Sequence, residues 1–233
     1  MRHRSSGLAI ALYALATAMA SAGCGGDGIV SDPGTGTRTL AVQASASYES
    51  GLQGASFDVR VSKLGQAVSG AKVAVTSGLG MVTLVEGPDQ RYRGNQAGWP
   101  DDGFILDVEV RDGAGKLTDS LSASVRVAAP VKLVRPSVTA PFDPHTLAGG
   151  VLDVVWSGPA GDRVRVKAKD FEPQPFSPDP LKVSIPAATF NKPEHDLEIT
   201  RSNTVLLAGG APDSSFTSDY KLKTTLIVAN PFP

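Results

Sequence analysis

The sequence predicts an all-β protein built as two tandem β-sandwiches, and three observations carry that prediction. Valine and threonine recur in short runs whose apolar members alternate with polar ones, the two-residue period of a strand with one buried face. Glycine (25) and proline (17) are abundant and fall between those runs, where turns need them. A break at Ala128-Ala129-Pro130 divides the runs into two sets, because proline cannot donate to a strand ladder.

Arg2, His3 and Arg4 open the chain, Leu8 to Ala20 is uniformly apolar or small, and further small residues follow, which is the layout of a secretory signal peptide over residues 1–23. A spanning helix needs about 20 apolar residues, more than this run or any later one offers, so no transmembrane helix is expected in the mature chain. Ala20-Ser21-Ala22 supplies an A-x-A site, whose use would leave a soluble periplasmic product cleaved after Ala22. Ser21-Ala22-Gly23-Cys24 resembles the lipobox of bacterial lipoproteins. That resemblance implies cleavage before Cys24 and acylation of its thiol and new N-terminus with palmitate-type chains, so that Cys24 anchors the protein in the membrane. Cys24 is the single cysteine, which leaves no intramolecular disulfide, and an unmodified thiol would be a liability in an oxidising compartment. Each buried CH₂ contributes about 0.8 kcal/mol, and several acyl chains together make an anchor stable. Behind it, residues 24–37 form the lipid-anchored linker, a polar, glycine-rich coil that sets the body on the order of 20 Å from the anchor. Gly25 stands where inner-membrane lipoproteins carry Asp, so the resemblance implies the outer membrane.

Residues 38–128 read as the first sandwich. Leu40, Val42, Ala44 and Ala46 alternate with polar residues, as do Phe57, Val59 and Val61; Val73 and Val75, residues 81–86 and 91–93, then Phe104, Leu106, Val108 and Val110 follow, and residues 117–127 return after the turn Asp112-Gly113-Ala114-Gly115. Gly65-Gln66-Ala67-Val68-Ser69-Gly70-Ala71-Lys72-Val73 resembles a hairpin of bacterial Ig-like and carboxypeptidase-regulatory-like modules, in which glycines turn the chain and valines pack between sheets. The resemblance implies a fold and leaves function open.

Residues 131–233 read as the second sandwich. A proline-broken stretch from Arg135 to Gly149 precedes the strands at Val151–Trp156 and Val164–Ala168. Leu152, Val154 and Trp156 share a face, which makes Trp156 the large filler of a second core. A Trp followed by the turn Ser157-Gly158-Pro159 is similar to the early strands of a fibronectin type III module. Residues 181–185, 197–199 and 220–228 continue the alternation.

Function is less legible. The 22 basic residues include Arg2 and Arg4 of the leader and stand against 23 acidic ones, so the mature chain is mildly acidic and is not expected to bind nucleic acid. No zinc-protease, CxxC, nucleophile-elbow or phosphate-loop motif occurs; outside the leader only His145 and His195 remain, both in loop-like surroundings, so no enzyme, cofactor or metal is expected. Asp101, Asp102, Asp107 and Glu109 suggest calcium only if a turn and a strand face converge, and structural roles account for them more simply. Two features suggest binding. Arg163, Arg165, Lys167 and Lys169 alternate on one side of a strand, and Lys221 and Lys223 would join them were the two strands neighbours; this face suits an envelope polysaccharide or protein partner, or serves only to solubilise. Trp99, in a glycine-rich loop, either presents an aromatic platform or folds back to close the sandwich end. The expectation is a monomeric, non-enzymatic cell-envelope lipoprotein with structural or binding modules.

Overall fold

The computed structural model describes residues 39–52, 54–159 and 163–233. The expected signal peptide, Cys24 and the expected linker lie outside the described residues. The rest is all-β and forms two β-sandwiches with separate cores.

The first sandwich contains β1 (Leu40–Glu49), β2 (Gly54–Lys63), the short β3 (Gln66–Ala67), β4 (Lys72–Ser77), β5 (Gly80–Glu86), β6 (Arg91–Ala97), β7 (Phe104–Arg111) and β8 (Leu117–Val125). One layer is β1, β2 and β6; the other is β4, β7 and β8, and β5 turns the corner by pairing with both β4 and β6. Val42, Val59, Val73, Val75 and Leu106 point between the layers and are fully buried. Each such side chain contributes about 1.5–3 kcal/mol of hydrophobic stabilisation. Gly65 and Gly70 adopt φ of 79° and 71°, the left-handed region where a side chain is strained. Tyr92 fixes the resulting hairpin: its Oη donates to Val68 O (2.7 Å) and accepts from Ala71 N (3.0 Å).

The second sandwich sets β9 (Lys132–Arg135), β10 (Val151–Ser157) and β12 (Lys182–Pro186) against β11 (Arg163–Ala168), β13 (Glu194–Leu206) and β14 (Ser215–Ile227). Trp156 is buried in its core with Phe190, Ile185, Leu197 and Ile199. β9 is not legible in the chain, because four residues are too few to show a period and prolines follow it; its pairing with β10 shifts register between Val155 and Trp156.

One hairpin serves both cores. β13 and β14 are each 13 residues long, far beyond the short stretches of visible alternation. Leu197, Ile199 and Leu226 lie in the second core, Leu207 and Phe216 in the first, and Tyr220 packs against both. The first half of β14 pairs in parallel with β1, from Gln43 opposite Ser215 to Glu49 opposite Lys221. The chain segment on the far side of Pro130 thus completes the layer of the first sandwich.

The crossing between the sandwiches is tied by polar contacts. Trp99 Nε1 donates to Ala128 O (3.0 Å), and Ala128 N donates to Ser218 Oγ (2.7 Å). Arg201 Nη1 donates to Ala129 O and Pro130 O, each at 3.2 Å. Its Nε and Nη2 hold Asp179 Oδ2 at 2.8 and 2.6 Å, and Asp179 also accepts from Trp156 Nε1 and Leu181 N. Both charged side chains are wholly buried. Burial of a charge is tolerated only with such partners.

Candidate functional site

The outer face of β11, β13 and β14 carries the alternating cations. Val164, Val166 and Ala168 turn inward, so Arg163, Arg165 and Lys167 point to solvent, and Lys169 follows at the strand end. β11 and β14 are not neighbours, since β13 lies between them, so the cations of the two strands stand on one outer face with the side chains of β13 separating them. Pairing across the layer sets Arg163 opposite Ser202 and Ser202 opposite Asp219. The next outward rows are Arg165, Thr200 and Lys221, then Lys167, Glu198 and Lys223.

Acids interleave with most of the lysines. Lys221 lies 3.7 Å from Glu49 and 3.6 Å from Glu198, Lys223 4.0 Å from Glu49, and Lys167 3.4 Å from Glu172. Lys169 reaches Asp170 (3.5 Å) and donates to Asn191 Oδ1 (2.6 Å). Among the described residues Arg163 and Arg165 have no ion-pair partner. The two guanidiniums therefore dominate the local field, and the lysines are largely compensated.

Beside them lies a groove of about 490 Å³, lined by Arg163, Arg165, Pro175, Thr200, Ser202, Asn203, Thr204, Thr217 and Asp219. Ser202 Oγ donates to Asp219 Oδ1 (2.5 Å), and the Thr204 and Thr217 hydroxyls are 3.1 Å apart. The far rim is segment 171–176, which pairs with the otherwise free edge of β11. Val164 N donates to Phe176 O (3.0 Å), Phe176 N to Val164 O (2.8 Å), and Ala168 N to Phe171 O (2.9 Å). Backbone bonds of this kind hold the groove's shape before any ligand arrives.

The hydroxyl floor is not evident from the amino-acid pattern. Its one signal is the alternation Thr200, Ser202, Thr204, which a charged residue, Arg201, masks by occupying the inward position between two of them. Trp99 is folded back: 9% exposed, it donates to Ala128 O and contacts Tyr48, Tyr220 and Phe104 at centroid distances of 6.0, 6.0 and 6.2 Å. It closes the sandwich end and presents no platform to solvent.

The histidines have packing roles. His195 is buried, its Nε2 accepts from Lys192 N (3.1 Å), and the edge of Phe190 meets its ring; burial, then the charge of Lys169, holds its pKa below the ordinary histidine range. His145 packs against Phe232 with ring centroids 4.1 Å apart and planes tilted by 46°. Among the described residues no three His, Cys, Asp or Glu side chains gather to hold a metal. Asp107 accepts from Ser122 Oγ, and Glu109 pairs with Arg111.

No family model matches the sequence, and no curated protein does either. Among solved structures, the chain is similar to one described as fibronectin(III)-like modules of Clostridium thermocellum CbhA, with 13% identity over 82% of this chain and 95% of that chain and a TM-score of 0.26.

Proposed function

We propose that this chain is a non-enzymatic cell-envelope lipoprotein whose two sandwiches act as one stiff arm, held at the membrane through acylated Cys24 and presenting a binding face away from it. The supporting observation is the shared layer of β1, β13 and β14. From Leu40, across the parallel pairing and on to Ile227, that layer extends about 50 Å at about 3.3 Å per residue. The tether enters beside Leu40 at one end. Arg165, in register with Thr200 and through it with Lys221, lies roughly 30 Å farther along. A tether of about 20 Å would add to that reach. The groove offers two guanidiniums and a row of hydroxyls on one outer face, which supports a binding role.

Mass spectrometry of the mature N-terminus tests the anchor. Diacylglycerol-modified Cys24 and recovery in the outer-membrane fraction are expected. An unmodified Gly23 N-terminus would sink the lipoprotein reading and leave a soluble periplasmic arm.

A further inference from the structure

We infer that the groove beside Arg163 and Arg165 binds a carboxylate-bearing polysaccharide of the uronate type. The inference rests on reading the chain as a binding arm and names what that arm takes.

The guanidiniums come first. Residues two apart on a strand share a face with roots about 7 Å apart, so Arg163 and Arg165 offer two planar forks along one line. A guanidinium fork matches a carboxylate bidentately, and neither fork is engaged by an acid of the described residues.

The floor specifies the remainder of the ligand. Thr200, Ser202 and the Thr204–Thr217 pair supply hydroxyls that both donate and accept. Asp219 takes Ser202 on Oδ1, while its Oδ2 accepts no hydrogen bond from the described residues and is suited to a hydroxyl donor. A ligand that satisfies the whole surface carries carboxylates and free hydroxyls on adjoining atoms, which is the pattern of a uronate ring. A polyphosphate lacks those hydroxyl donors and would leave Asp219 Oδ2 facing further anionic oxygens with no donor between them.

No aromatic ring lines the groove, so it lacks the stacking surface that a neutral sugar face would use. Recognition must come from charge-assisted hydrogen bonds, and affinity should therefore fall with salt. A volume of about 490 Å³ is within the about 300–1,000 Å³ of small-ligand clefts.

Isothermal titration of the full mature chain with an oligogalacturonate tests this, using a maltooligosaccharide of equal length and inorganic phosphate as comparison ligands. Oligogalacturonate binding that weakens with added salt is expected. The Arg163→Gln/Arg165→Gln protein should bind about tenfold or more weakly, because charge-assisted contacts are lost, whereas Lys167→Gln should stay within about twofold. All three changes lie on the exposed face, and an unchanged melting temperature checks that the fold is kept. No oligogalacturonate binding, equal binding by the double variant, equal binding of the neutral oligomer, or equal affinity for phosphate would each overturn the assignment. None of these results touches the anchor, which the N-terminal mass reads independently.

Discussion

Replacing Arg201 with Met should destabilise both sandwiches together. The substitution keeps most of the side-chain volume and removes the cation facing Asp179, whose carboxylate is fully buried. Trp156 Nε1 and Leu181 N still donate to that carboxylate, so it is not left bare. Removing one partner of a buried ion pair nevertheless costs about 3–5 kcal/mol. The carbonyls of Ala129 and Pro130 are half-buried, and water can replace much of what Nη1 supplied. A net loss of about 4 kcal/mol follows, a large share of the about 5–15 kcal/mol that stabilises a typical domain. At a urea slope of about 2–3 kcal/mol per molar, the midpoint should fall by about 1.3–2 M. Urea titration followed by tryptophan fluorescence measures the loss, and peptide-resolved hydrogen exchange locates it. Protection should fall in β7 of the first sandwich as well as in β10 of the second, because Arg201 holds the crossing segment and its strand continues into the first core. Exchange that rises only in β10, or a loss below about 1 kcal/mol, would refute the view of Arg201 as the tie between sandwiches. The paired change Arg201→Met/Asp179→Leu removes the stranded carboxylate and should recover part of the stability.

Trp99→Ala should cost about 3–5 kcal/mol in the same urea assay, through loss of the ring cluster with Tyr48, Tyr220 and Phe104, and should leave oligogalacturonate affinity unchanged. Tyr92→Phe keeps the ring and removes the hydroxyl that joins Val68 O to Ala71 N; a loss of about 1–2 kcal/mol is expected, seen as a lower melting temperature. Gly158→Ala should be severe, because a Cβ there would meet Arg201 Nη1 at 2.1 Å; insoluble or markedly less stable protein is the expected result. His195 has a folded pKa below its unfolded 6.5, so its contribution is fully present above that value and is lost as pH falls through the folded pKa, where the unfolded chain binds the extra proton. Melting temperature should therefore drop on acidification below about pH 6.5, and less steeply in His195→Gln.

Much of the first sandwich was readable from the chain because its inward positions are Val, Leu and Phe, whose alternation shows without a structure. The second was half-readable. β9 is too short and too close to prolines to show a period, and the hairpin strands lose theirs where Arg201 and Ser218 occupy inward places. Charged residues are almost never fully buried, so a pattern that includes one looks like a surface. The same exception hid the groove: Thr200, Ser202 and Thr204 share one face, but with Arg201 and Asn203 between them the stretch has no apolar partner face to mark it as a strand.

By itself the sequence determined that the described body is all-β, that two cores are needed, and that alternating cations stand on the wet side of β11. Tertiary structure alone decided which of those cations keep a free charge and that one hairpin belongs to both cores. Strand period depends on neighbours along the chain. Pairing of Lys221 with Glu49, or of β14 with β1, joins residues more than 170 positions apart, and only the closed fold brings them within reach.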